Sequence, residues 1–471
     1  MKTTNSGRSV KKNVMLSISV QVVSLMVSTI LNLVVPKFIP ELQFAHWQTY
    51  VLYVGYVGVL HFGLLDGIVL RYSQYDYDEL DKPRIRSQFK LLLLLNTVMS
   101  LITVGITFAI AKGVMRYIFL YIAIGIITKN LFTYTSYSFQ ITNRIREYAI
   151  LVISQRAFYG VMTLVLLLFR VKNFYLYCIA DLCGDVFGFI IGYFYNKDLY
   201  FGKSIPFKDA IKEFWANTSS GIMLLIANWS AILLVGSAKM IVQWHWDELT
   251  FGKVSFSFSI SNLFLAFVTA ISVVLFPSLK RMDKDKLPKI YMSIRNAVSL
   301  VLFLAMVFYY PGYFLLDLWL PKYHESLMYL GILMPIIVYT SKVSLLTNNY
   351  LKAYREEKKM LVINVISVIV ASIIFAISAY VLNSLFILLV MIVLVIMLRS
   401  IVSEIVVMKI INIKMYKDFI IEAIMTLGFI LSAKLFDPII GFIIYSLLLL
   451  VYLFIYKETI KPYFKKMRRS S

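Results

Sequence analysis

Residues 59–95 read VLHFGLLDGIVLRYSQYDYDELDKPRIRSQFKLLLLL. An apolar, glycine-spaced helix carries an acid, Asp66, near its end. It then leaves into a charged, tyrosine-rich loop. Pro83 restarts the chain just before the next apolar run, at a helix start where its missing N–H costs nothing. The plan returns about 205 residues later, an offset on the scale of half a transporter with internal repeats. There residues 271–304 read ISVVLFPSLKRMDKDKLPKIYMSIRNAVSLVLFL, and Leu287-Pro288-Lys289-Ile290 takes the place of Lys82-Pro83-Arg84-Ile85. A second pair, RIREYAILV from Arg144 and REEKKMLVI from Arg355, repeats with nearly the same offset.

Working outward, the whole chain has this character. Of 471 residues, 60% are hydrophobic and 15% charged. The charges gather in short runs between apolar stretches of about 20 residues, the length that crosses a bilayer as a helix. The continuous apolar runs exclude a transmembrane β-barrel, whose strands alternate. About fourteen such stretches can be placed. The expected fold is an all-α polytopic membrane protein: two six-helix lobes related by pseudo-two-fold symmetry, plus two C-terminal helices. The lobes are expected at residues 1–195 and 214–408, joined by a cytoplasmic linker at 196–213. Residues 409–471 hold helices 13 and 14 and a basic tail.

The net charge of +22 is read as topology rather than nucleic-acid binding. Most of the 47 Lys and Arg fall in loops assigned to the cytoplasm, as the positive-inside rule requires, and both termini are basic. Both termini are therefore expected in the cytoplasm. Cys178 and Cys183, five apart in one apolar stretch, lie on different helix faces and suggest neither a disulfide nor a metal site. His46, His61, His245 and His324 are scattered, with no metal-ligand spacing. Neither a phosphate-binding Gly-x-x-x-x-Gly-Lys-Ser/Thr loop nor a nucleophile elbow occurs. No catalytic residue, metal or cofactor is expected, and the chain is not read as an enzyme.

Charges inside spans are costly and mark cavities or partners. Lys129 and Lys342 lie in the expected helices 4 and 10, each beside polar neighbours, and Lys239 just past helix 7. These three are the expected cations of a wet central cavity, where ammonium groups would grip phosphate. Asp66 and Arg71 are assigned to the inner gate. Arg156, Asp181, Asp185, Arg399 and Glu404 are read as structural or coupling charges. Asp181 and Asp185, four apart on one face, are expected to pair with Arg156, and Arg399 to snorkel or meet Glu404. An excess of buried cations over anions would suit an anionic headgroup.

Three motifs carry a family resemblance: Gly63-Leu64-Leu65-Asp66-Gly67 followed by Arg71-Tyr72, Leu275-Phe276-Pro277-Ser278-Leu279-Lys280-Arg281, and Asn349-Tyr350-Leu351-Lys352-Ala353. With the helix count and two-lobe plan, the chain resembles the multidrug/oligosaccharidyl-lipid/polysaccharide (MOP) exporter superfamily, and its Wzx-type oligosaccharide flippases in particular. The resemblance implies two bundles around a cationic cavity in a bacterial cell membrane. It implies alternating access that carries an undecaprenyl-pyrophosphate-linked oligosaccharide between leaflets for capsule, O-antigen or other surface polysaccharide. Coupling to a proton or sodium gradient, and work alongside a polysaccharide polymerase and glycosyltransferases, are part of that expectation. In the lipid II flippases of the superfamily two extra helices form a groove for the lipid tail, and helices 13 and 14 are the counterpart. The drug-exporter branch remains the alternative, although helix 1 offers only Gln21 and Asn32 as strong polar groups. A non-transporting membrane assembly partner is the second alternative.

Overall fold

The computed structural model describes residues 4–280 and 287–457, with side chains from residue 15 onward except 266–286 and 289. The basic tail from 458, most of the basic loop at 281–286, and the side chains of the motif at 275–281 lie outside the described residues. The chain divides into two compact units, Met1–Ile232 and Leu233–Ser471.

Unit 1 is built from α1 (Met15–Phe38), α2a (Glu41–His61), α2b (Leu64–Tyr72), α3 (Lys82–Ile110), α4 (Gly113–Ile141), α5 (Ile145–Leu168) and α6 (Phe174–Tyr195), followed by the first part of α7 (Phe207–His245). Within it α5 lies along α6, α3 along α4, α1 against α5, and α4 against α6. Gly188 and Gly192 set the α6 contacts: a Cβ there would stand 2.7 Å from the Phe132 ring and 2.2 Å from Thr135. Small residues four apart let apolar helices close without a hydrophobic driving force.

Unit 2 continues with α8 (Glu248–Lys280), α9a (Leu287–Met306), α9b (Tyr309–Trp319), α10a (Pro321–Leu333), α10b (Ile336–Ala353), α11 (Glu357–Val381), α12 (Leu385–Ile411), α13 (Tyr416–Leu435) and α14 (Pro438–Ile455). Here α8 packs on α10a, α11 on α12, and α13 on α14. The C-terminal pair also packs on the unit, α13 against α10a and α14 against α9b.

Every expected span falls on one of these rods, and the protein is an all-helical, multi-pass membrane protein. Among the described residues nine helices are long and apolar enough to cross a bilayer, or up to twelve when each bent pair is one span. The helix α13 misses that test because Lys417, Asp418, Glu422 and Lys434 interrupt it, and two of those charges prove central below.

The repeated punctuation has a structural counterpart. Pro83 and Pro288 each sit in the first turn of a helix, and Asp81 caps the first by accepting from the Arg84 N–H at 3.1 Å. Asn143 and Arg355 are both left-handed just before a helix, and Arg170 and Asn383 are left-handed in the turns that follow. The two pairs share one offset to within a residue.

Several boundaries differ from expectation. A π turn at Ile30–Val34 widens the ladder ahead of Pro36, and α1 runs through the proline to Phe38. Helix α9 bends by 41° and continues as α9b through Trp319. The expected linker at 196–213 ends in the opening of α7, a single helix of 39 residues. At a 1.5 Å rise it is about 58 Å long, well beyond a bilayer's apolar thickness. Lys239 consequently lies inside α7 rather than past its end.

Candidate functional site

The expected inner-gate segment is a broken helix. Phe62 (φ 51°) and Gly63 (φ 83°) are both left-handed, and α2b leaves α2a at 55°. Glycine takes that backbone at little cost. The bend lays α2b directly on the backbone of α7 within unit 1. A Cβ on Gly67 would stand 1.8 Å from the Asn217 carbonyl oxygen, and one on Gly221 would stand 2.0 Å from that of Gly63. Asp66 is buried beside His61, with 3.8 Å between carboxylate and imidazole. Arg71 Nη1 donates to Glu213 at 2.5 Å and to Asn217 at 2.6 Å, while the Tyr72 hydroxyl donates to the same Glu213 oxygen at 2.6 Å. Arg71 is therefore a clasp between α2b and the first turns of α7.

Beneath the clasp the charged loop is folded. Tyr200 packs edge-on against Phe89, with centroids 4.9 Å apart, and closes a core with Leu65, Leu80 and Tyr134. Lys82 holds Asp198 at 2.9 Å, and that ammonium keeps the exposed Asp198 carboxyl below the usual carboxylate range. The expected linker at 196–213 is thus tied to α3: Arg86 donates to the Lys203 carbonyl, and Ser87 accepts from the Ile205 N–H.

The deeper charges of unit 1 meet in one cluster. Lys129 on α4 pairs with Asp181 at 2.9 Å and Asp185 at 2.8 Å, both on α6. Tyr50 donates to Asp181 at 2.8 Å, and Gln155 to Asp185 at 3.1 Å. The i, i+4 spacing of the aspartates does place them together, but their cation is Lys129. Arg156 forms no ion pair among the described residues. The Lys129 side chain keeps 24% of its surface exposed, so this cluster is open on one side.

Unit 2 holds a larger and drier network. Arg295 on α9a pairs with Glu404 on α12 at 2.6 Å, and with Glu422 at 3.0 Å and Asp418 at 3.3 Å on α13. Lys342 on α10b bridges Glu404 and Glu422, the latter at 2.6 Å. Ser299 donates to Glu422 at 2.9 Å, and Tyr456 to Asp418 at 2.5 Å. Lys342 and Glu404 have side-chain exposures of 0%. This corrects the reading of Lys342 as a cavity cation: two carboxylates neutralise it inside one packed bundle. Glu404 serves that network, and Arg399 instead donates from Nε and Nη2 to Asn364 on α11, at 3.1 and 2.9 Å.

Neither of these two clusters has an excess of cations. Lys129 faces two carboxylates, and Arg295 with Lys342 faces three, so both clusters carry excess acid. Arg295, Glu422 and Asp418 were not singled out from the sequence. The signal was present: Asp418 and Glu422 lie four apart in a helix otherwise rich in apolar residues, and Arg295 and Ser299 repeat that spacing. Lys239, the third expected cavity cation, forms no ion pair among the described residues. It is half-buried, 6.0 Å from the centre of the Phe251 ring.

Comparison with solved structures identifies the architecture. An inward-facing multidrug resistance MATE family transporter of the MOP superfamily aligns with a TM-score of 0.66 at 13% identity, over 85% of this chain and 98% of that one. The fold is that of the MOP-superfamily transporters. An outward-facing MATE structure aligns at 0.56 and 15% identity, over 85% of this chain and 96% of that one. The lipid II flippase MurJ, in an inward closed conformation, aligns at 0.63 and 13% identity, over 95% of this chain and all of that one. No family model and no curated protein matches the sequence. Within the MOP fold, the flippase therefore spans more of this chain than either MATE structure does.

Proposed function

We propose that the chain is a Wzx-type flippase, moving an undecaprenyl-pyrophosphate-linked oligosaccharide between leaflets by alternating access for surface polysaccharide assembly. The observation that carries this reading is how α13 and α14 are built in. The carboxylates of α13, Asp418 and Glu422, complete the ion network around Arg295 and Lys342, and α14 packs along α13. With α13 held by ion pairs and α14 packed on α13 and α9b, the pair is a structural member of the unit, not a loose appendage. Its outer face is apolar, with Ile420, Ile424 and Leu427 on α13 and Leu447, Leu450 and Phe454 on α14 all exposed. A substrate whose polar head crosses through water while its polyprenyl tail stays in lipid has use for such a surface. The greater coverage by the lipid II flippase supports the same choice over the drug exporters.

In this reading Lys239 replaces Lys342 as the cation for the pyrophosphate, because it alone of the three expected lysines has no carboxylate partner among the described residues. Arg71 and Asp66 act at the inner gate, where the Gly63 break provides a hinge. The protein sits in a bacterial cell membrane with both termini cytoplasmic, next to a polymerase and glycosyltransferases, and draws on a proton or sodium gradient. The rival, an ion-coupled drug exporter, is favoured by the half-open Lys129–Asp181–Asp185 cluster, whose excess acid suits a proton or a cationic drug.

The deciding experiment uses the full chain in liposomes loaded with a short polyprenyl-pyrophosphate oligosaccharide, with the sugar's exposure read by an impermeant glycosidase. The chain speeds exposure, and Lys239→Gln slows it about tenfold, as loss of one charge-assisted hydrogen bond predicts, with normal unfolding. Efflux of a cationic drug without lipid flipping, abolished by Asp185→Asn and indifferent to Lys239→Gln, establishes the rival instead.

A further inference from the structure

Arg399 is the buried cation that the unit 2 network leaves out. Its exposure is 6%, yet no carboxylate among the described residues pairs with it. The nearest acid on its own helix, Glu404, is taken by Arg295 and Lys342. Asn364 offers one oxygen to two of the guanidinium nitrogens and no charge. A guanidinium has five N–H donors, so the remaining ones are unspent. Arg399 is among the residues that line a cavity of about 340 Å³ between α11 and α12, whose other walls are almost wholly apolar and include Val362, Ile366, Val370, Val395 and Val402. The apolar rim is uncovered: Val362, Ile366 and Leu398 are each more than half exposed.

The same face continues to the end of the hairpin. There a second cavity, about 450 Å³, is lined by Glu356, Lys359 and Lys409 with Val406 and Ile410. Lys359 is bound to Glu356 at 2.8 Å, whereas Lys409 is exposed and forms no ion pair among the described residues. The spacing of Lys359, Val362, Ile366 and Val370 on α11, and of Val395, Arg399, Val402, Val406 and Lys409 on α12, makes these one furrow. Asn364, which fixes the guanidinium, lies seven residues into α11, about 10 Å from its start. The charge therefore lies about two helical turns in from the charged start of α11.

We propose that this furrow binds an acidic glycerophospholipid of the surrounding bilayer, its phosphate held by Arg399, its acyl chains along the valine and isoleucine rim, and Lys409 at the mouth. Charge complementarity selects the occupant. The furrow offers one uncompensated guanidinium and one free ammonium, and a bare intramembrane arginine is costly until an anion meets it. A guanidinium matches phosphate oxygens in bidentate geometry. A zwitterionic lipid brings its own cation and leaves the site's charge unbalanced. The site lies wholly within unit 2 and does not depend on what the protein transports.

The test measures binding rather than transport. Full-length protein in detergent is exchanged into mixed micelles of phosphatidylglycerol and phosphatidylcholine, and retained lipids are counted by native mass spectrometry. The wild type keeps phosphatidylglycerol about tenfold over phosphatidylcholine, the scale of one charge-assisted hydrogen bond. Arg399→Gln brings the ratio near one, and Arg399→Lys restores part of it. A tryptophan introduced by Val402→Trp, with Arg399 intact, is quenched by brominated phosphatidylglycerol more than by brominated phosphatidylcholine, so the site is read even where an Arg399 variant folds poorly. Inorganic phosphate in excess does not displace the lipid. Equal retention of both lipids, an unchanged ratio in a folded Arg399→Gln protein, displacement by inorganic phosphate, or a stable dimer that shields the new tryptophan from both brominated lipids each overturns the proposal.

Discussion

Replacing Lys342 by Met separates a structural lysine from one that meets substrate. In the structure its ammonium bridges Glu404 and Glu422, and Arg295 is the other cation that touches them. Lys342→Met leaves Arg295 alone against Glu404, Glu422 and Asp418, of which only Asp418 has appreciable exposure. Breaking a fully buried pair from one side costs about 3–5 kcal/mol, most of it for the carboxylate left uncompensated. For a unit of this size each kcal/mol moves the unfolding midpoint by about 2–4 °C, so the variant should unfold about 6–20 °C lower. The companion Lys342→Met/Glu422→Gln removes one charge of each sign and returns the network to its original net charge. It should recover most of the loss, a coupling of about 2–3 kcal/mol for groups in direct contact. The assay is thermal unfolding of purified full-length protein in one detergent at one scan rate, with substrate flipping measured in parallel on folded material. If Lys342→Met unfolds with the wild type while flipping is lost, the lysine faces substrate and the network assignment is wrong. If the double variant is worse than the single, Glu422 is not the partner that matters.

Two further outcomes test other parts of the structure. Gly67→Leu should abolish the folded protein, since even the Cβ would overlap the Asn217 carbonyl, whereas Gly105→Ala, with nothing within 4 Å of its Cβ, should leave the unfolding midpoint unchanged or slightly higher; size-exclusion yield and thermal unfolding check both. Asp198, held below the usual carboxylate range by Lys82, stabilises the fold above the unfolded carboxylate's ordinary value, and that contribution fades as pH falls through the lower folded value. Asp198→Asn should therefore reduce the acid-side fall of the unfolding midpoint and leave its alkaline side alone, and an equal fall in both proteins counts against the pair.

The order of the rods was legible because it is written locally. An apolar run of span length, a basic loop and a proline in a first turn each act within a few residues. They place Pro83 and Pro288 at helix starts and α13 and α14 after the twelfth rod. The break in α2 was less visible. A glycine at Gly63 is compatible with a break, but the left-handed Phe62 beside it goes with the seat of α2b on Gly221.

What the sequence by itself determined was an all-helical membrane chain with a repeated plan, and which side chains carry charge inside the spans. Only the tertiary structure decided which of those charges stay free. Lys342 meets Glu422 across 80 residues of chain, Arg295 meets Glu404 across 109, and Lys129 meets Asp185 across 56. An ion pair depends on the facing of two helices to within a few ångströms, and the period of each helix taken alone does not fix the rotation of one against another. In lipid the difference is large, because a lysine with two carboxylates is a structural bolt and one with none is an invitation to an anion. That physical fact moves the search for a phosphate ligand from Lys342 to Lys239 and Arg399.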